Sequence, residues 1–148
     1  MFLDTSALLK RYVDEEGAEV VRALDGPFVV SAMARIEAAA ALWRKHRLGE
    51  ISADDAALLA GAVAFDMSAG AGIRPRVVVV GVTAPLIAHA SELVERHPLR
   101  GYDAIQLASA LAARAASPSV GDFGCADRAL AGAAAREGFR LVPGLVTL

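Results

Sequence analysis

The sequence holds a single cysteine, Cys125, among its 148 residues. One thiol excludes an internal disulfide framework and cannot by itself build a cysteine zinc site. The three histidines, His46, His89 and His97, lack metal-ligand spacing and read as surface residues. Long apolar runs are missing as well. Val77 to Val80 ends at Gly81, and the alanines at 38–41 are flanked by Glu37 and Arg44, whereas a membrane span needs about 20 apolar residues. The opening Met1-Phe2-Leu3-Asp4 has no basic region ahead of an apolar one, so no signal peptide is expected. These absences point to a cytoplasmic protein with no membrane partner. An excess of positive charge is also absent. Fifteen basic residues face 17 acidic ones, a net −2, although nucleic-acid binding usually leaves a basic footprint. If metal neutralised four of the 17 acids, 13 would remain against 15 bases, a balance of +2. The charge therefore permits a nucleic-acid substrate without arguing for one.

What the chain does have is apolar material, 55% of its residues, with a mean hydropathy of +0.45 carried largely by alanine. That suffices for a sizeable core in one domain over residues 1–148. It also suggests tightly packed helices, with apolar surface left for a partner.

Hydrophobic spacing and turn residues lay out strands and helices in alternation. Met1-Phe2-Leu3 reads as a strand running into Asp-Thr-Ser, followed by short helices over 7–12 and 15–24. Gly26-Pro27 breaks the chain before a strand at 28–30. A helix capped by Ser31 runs to about Leu48 and stops at Gly49; another covers 53–69. After Pro75, the four β-branched residues Val77–Val80 suit a parallel strand covered on both faces. Helices follow from Thr83 to Arg96 and from Asp103 to about Ala115. A weaker strand near 119–124, a helix over 126–136 and a last strand at 139–142 complete the chain. This alternation predicts an α/β fold with a mostly parallel central sheet. In such sheets the ligand site lies at the carboxyl ends of the strands.

Four acids stand at such ends or open core helices. Asp4 follows the first strand and doubles as a helix cap. Glu37 borders Met33, Ala34, Ala40 and Ala41 at helical spacing, an apolar stripe where a charge needs a partner or a cleft. Asp103 opens a helix whose stripe continues through Gln106, Leu107 and Ala110. Asp127 falls in the first turn of a helix just past the fourth strand. Each alone has an ordinary explanation as a cap or a solvated face. Together, with no competing nucleophile arrangement, they suit hard, oxygen-preferring cations such as Mg2+ or Mn2+. Such an ion lowers the pKa of a bound water, orients a phosphodiester and stabilises the departing oxygen. Crowding of the acids predicts raised pKa values when the ion is absent.

The segments LDTSALLK, RIEAAAAL, LRGYDAIQLASAL and CADRAL occur in this order along nearly the whole chain. They resemble PIN domains, and most closely the VapC-type toxins of toxin–antitoxin pairs. The resemblance implies a PIN-like three-layer α/β/α sandwich and a Mg2+- or Mn2+-dependent endoribonuclease hydrolysing RNA phosphodiester bonds. It makes Asp4, Glu37, Asp103 and Asp127 the catalytic and metal-binding set. Asp4 and Asp103 are then the principal metal ligands, and Asp127 completes the shell or holds a second ion. Glu37 positions a metal-bound water or takes its proton. Thr5 and Ser6 steady the Asp4 loop, and Arg11, Arg100 and Arg128 are candidate phosphate contacts. The implied partners are RNA, a cognate antitoxin protein and a second copy of the chain.

Two departures stand out. The family usually has Ser or Thr two positions before the fourth acid, where this chain has Cys125, read as a small buried apolar residue. SVGDFG is polar where an apolar strand is expected, so Asp122 competes with Asp127; Asp127 is preferred because ADRAL begins a helix in the family's register. Three other readings compete: a housekeeping PIN-domain RNA-processing nuclease, a non-catalytic PIN-fold binding protein and a phosphatase with an aspartate nucleophile. The last is disfavoured, since Ser6 stands where its second aspartate is expected.

Overall fold

Phe2 and Leu3 are fully buried on opposite sides of the chain, which is what a strand at the middle of a covered sheet requires. The computed structural model describes residues 1–68 and 77–146. In it these two residues form β1 (Phe2–Leu3), followed by α1 (Thr5–Leu9), α2 (Ala18–Arg22) and β2 (Phe28–Ser31). The chain continues through α3 (Ala34–Arg47), α4 (Ala53–Met67), β3 (Val77–Val80), α5 (Ala84–Arg96) and α6 (Gly101–Ala116). It ends with β4 (Asp122–Gly124), α7 (Arg128–Arg136) and β5 (Arg140–Leu141).

Among the described residues the sheet has five strands in the order β3-β2-β1-β4-β5, every pair parallel. Phe2 lies abreast of Val29 and Phe123, and Leu3 abreast of Gly124. The alternation of side chains along the strands divides the core in two. Phe2 and Phe123 stack at 5.3 Å and pack with Leu86, Leu93, Leu107 and Leu130 from α5, α6 and α7. On the other face Leu3, Phe28 and Val30 pack with Leu8, Val21, Leu42 and Val63 from α1 to α4. Helices cover both faces, which makes the three-layer α/β/α sandwich.

Local chemistry sets the helix ends. Ser52 and Asp55 make a reciprocal capping box at the start of α4. Thr83 caps α5 ahead of Pro85. Gly49, at φ 75°, ends α3 in the left-handed conformation that glycine adopts without strain.

Four expectations need correction. Val77–Val80 forms a strand, but at the sheet edge, with Val78 and Val79 exposed rather than covered on both faces. Ser31 is the last residue of β2 and Met33 occupies the cap position of α3, although the Ser31 hydroxyl still accepts from Met33 N at 3.3 Å. The segment 15–24 yields only the five-residue α2, which starts after Gly17 at φ 80°. His97 is buried, not on the surface: its ring reaches Glu137. The expected helix end at residue 69, and Pro75, lie outside the described residues.

Candidate functional site

Strand order reverses between β1 and β4: β2 and β3 lie on one side of β1, and β4 and β5 on the other. A crevice opens at the carboxyl ends of strands where order reverses in this way. Asp4 and Asp127 emerge at that crevice, each just past one of the two central strands. Asp4 N donates to Gly124 O at 2.9 Å, so Asp4 continues the β1–β4 pairing by one residue.

Asp4 caps α1. Its Oδ1 accepts from Ala7 N at 2.9 Å and from Ser6 Oγ at 2.7 Å. The Ser6 hydroxyl also accepts from Ala126 N at 2.8 Å, which fastens the Asp4 loop to the segment leading into α7. That confirms the expectation that Ser6 steadies Asp4. Asp127 caps α7 through Leu130 N at 2.8 Å. Asp103 lies in the first turn of α6, half-buried, where the helix dipole favours a carboxylate.

Glu37, in the first turn of α3, accepts two hydrogen bonds on a single oxygen. Thr5 Oγ1 donates to its Oε2 at 2.5 Å, and Gln106 Nε2 donates to the same atom at 2.5 Å. Gln106 Nε2 also reaches Thr5 Oγ1 at 2.8 Å. Sequence reasoning placed Gln106 on the inward stripe of its helix and assigned it no role. The signal was its polarity: an amide three residues after Asp103, among Ala104, Leu107 and Ala108, all buried.

Electrostatics link the acids in two pairs, Asp4 with Glu37 and Asp103 with Asp127. Burial pushes the Asp4 carboxyl up to about 6, and the Glu37 charge pushes in the same direction, while Ala7, Ser6 and their hydrogen bonds oppose it. Burial and then the Asp127 charge raise Asp103, against the pull of Arg100. Cys125 is 2% exposed. Burial drives its thiol far above the ordinary range, and the charges of Asp4, Asp127 and Asp103 add to the effect. Three carboxylates thus act on one buried thiol. Its Sγ donates to Asp127 O at 3.4 Å, a weak version of the contact that a serine hydroxyl would make.

Asp122, the competing acid, does not join this group. It sits in β4 and pairs with Arg140 on β5 at 2.7 Å, which holds its carboxyl below the usual range. Arg11 lies at the opposite end of the sheet, over the Phe28 ring at 4.6 Å with Nη1 donating to Val21 O. That position removes it from the phosphate candidates. Arg100 acts on Asp103 and stays among them; Arg128 is the exposed first residue of α7.

Among the described residues, no three His, Cys, Asp or Glu side chains converge tightly enough to form a ready-made metal cage. The donor set still fits a hard divalent ion in kind. Mg2+ keeps most of its waters and takes only one or two carboxylates directly. A buried acid whose charged form is disfavoured by another acid beside it is the environment that such a cation relieves.

Comparison with curated proteins finds no match for this chain. The PIN-domain family profile does match it, over residues 1–117. That span takes in Asp4, Glu37 and Asp103, and it stops before β4 and Asp127. PIN domains are generally metal-dependent nucleases. With its parallel sheet, its helices on both faces and acids at the carboxyl ends of the strands, the chain belongs to the PIN-domain family.

Proposed function

We propose that this protein is a Mg2+- or Mn2+-dependent endoribonuclease, acting in the cytoplasm as the toxin of a toxin–antitoxin pair. The observation that supports this reading is a pair of acids whose charge is disfavoured first by burial and further by a second acid, Asp4 by Glu37 and Asp103 by Asp127. Asp4 and Asp103 are held where their charged forms are disfavoured, at a cost to stability. A structural role does not explain that cost, whereas a divalent cation beside an anionic phosphodiester does.

When bound, the ion makes water nucleophilic at neutral pH and offsets charge on the departing oxygen. Asp4 and Asp103 would hold it, with Asp127 completing the set. Glu37, anchored through one oxygen, orients the attacking water with the other and takes its proton. Ser6 holds the Asp4 carboxylate in place. Arg100, at the start of α6, is placed to draw in a phosphate. An antitoxin and a second copy of the chain are the proposed protein partners. Exposed apolar side chains support them: Leu58 and Phe65 on α4 are 71% and 77% exposed.

The test is cleavage of RNA by purified protein with Mg2+ or Mn2+, alongside the Asp4→Asn and Asp103→Asn variants. Metal-dependent cutting that both variants lose is the expected result. Undiminished cutting by both would remove the four-acid mechanism. Expression of the chain alone addresses the toxin role: growth arrest relieved by a neighbouring gene's product supports it, and harmless expression of an active nuclease favours RNA maintenance.

A further inference from the structure

We propose that Gln106 is a positioning residue that holds Glu37 in its working geometry, an inference that rests on the nuclease function proposed above. Gln106 is 2% exposed and sits on α6 one turn beyond Asp103. Ala104, Leu107, Ala108 and Ala110 around it are apolar and buried, so an amide there costs stability unless its groups find partners. Its Nε2 finds two. It donates to Glu37 Oε2 and to Thr5 Oγ1, while Thr5 Oγ1 donates to the same Glu37 oxygen. The three side chains close a triangle on one carboxylate oxygen. Charge sets the amide's orientation: turned over, its carbonyl would face the carboxylate and both donations would be lost.

Two features separate this from ordinary core packing. Both donors act on Glu37 Oε2, so Oε1, which no hydrogen bond among the described residues occupies, is left to engage water. Gln106 Oε1 is itself buried without a partner, alone in this among the described side-chain nitrogens and oxygens. An unmade acceptor in the core lowers stability, and an apolar residue of similar length would leave no such orphan. The amide's contribution is therefore directional. It joins α6, which carries Asp103, to α3, which carries Glu37, and to Thr5, next to Asp4.

The experiment compares wild type with Gln106→Met, which keeps the volume, and Gln106→Glu, which keeps the shape but sets a second carboxylate against Glu37. Each protein is measured for kcat and KM on RNA, for Mn2+ affinity by calorimetry, and for Tm in metal-free buffer. In the methionine variant kcat falls roughly 10- to 100-fold, while Mn2+ affinity holds because Asp4 and Asp103 carry the ion. KM for RNA holds, because a buried side chain cannot touch the substrate, and Tm holds or rises. A purely structural role gives the reverse: lower Tm with kcat intact. The glutamate variant loses cleavage, and it decides the matter alone if the methionine variant does not fold. Wild-type kcat in both variants would overturn the inference while leaving the nuclease reading in place. Wild type that neither binds Mn2+ nor cuts RNA would remove the nuclease reading, and this inference with it.

Discussion

His97 Nε2 lies 2.7 Å from Glu137 Oε1, joining the end of α5 to the end of α7. Arg96 Nη1 reaches the same oxygen at 3.0 Å, and Arg136 Nε donates to His97 Nδ1 at 3.3 Å. The imidazole therefore accepts at Nδ1 and donates at Nε2.

The His97 hydrogen bond, with lesser help from Arg96, holds the Glu137 carboxyl below its usual 4.5. A depressed carboxyl contributes stability above its unfolded value, and that stability is lost as pH falls through the folded value. Wild type is expected to exceed Glu137→Gln by about 1–3 kcal/mol near neutral pH. Below pH 4.5 that gap should narrow. Urea unfolding of both proteins across a pH series reads it directly; a gap that does not change with pH would refute the charge assignment.

Asp4 has the opposite sign. Its folded value of about 6 lies above the ordinary 3.8, so its contribution is present below 3.8 and is lost as pH rises through about 6. Asp4→Asn keeps an acceptor for Ala7 N and removes the buried charge. In metal-free buffer at neutral pH it should be more stable than wild type by up to about 3 kcal/mol, the energy of two pKa units. Cleavage should be abolished in the same protein. A destabilised Asp4→Asn with no pH-dependent gap would count against the buried charge.

Gly124 leaves no room for a side chain. A Cβ there would lie 2.7 Å from Leu3 Cδ2 and 3.3 Å from Leu145 Cδ1. Gly124→Ala should cost about 1–3 kcal/mol through overpacking. Because Asp4 N hangs from Gly124 O, the change should also lower kcat more than it weakens RNA binding. Thermal unfolding with cleavage kinetics checks both. Full stability would mean that Leu3 yields more readily than its burial implies.

Cys125 should resist alkylation. It is buried, and its thiolate is opposed by burial and by three nearby acids. Native protein should stay unlabelled by iodoacetamide at mildly alkaline pH and react fully once unfolded. Rapid native labelling would contradict the burial of this thiol.

The architecture was legible in the sequence because strand and helix periods alternate cleanly, and the stop signals at Gly26-Pro27 and Gly49 sit where elements end. The position of β3 was not legible. Four consecutive valines describe a strand rich in β-branched residues, but they do not say whether a neighbour lies on one side or two. β4 was only weakly legible because Gly121, Asp122 and Gly124 suppress the apolar signal, although Gly124 is glycine for a packing reason. The acids could be named by position relative to strand ends. Their contacts could not. That Glu37 answers to Thr5 and Gln106, separated from it by 32 and 69 residues, depends on how α1, α3 and α6 dock. His97 was misread because a lone histidine carries no mark of the glutamate it meets 40 residues later.

The loop that carries the first acid is fastened from Gly124 and Ala126, some 120 residues further along the chain. Translation delivers these residues late. A ribosome-bound chain that has not yet released β4 lacks one flank of β1 and both fastenings. The first strand and its acid thus stay incomplete until a segment made some 120 residues later docks beside them.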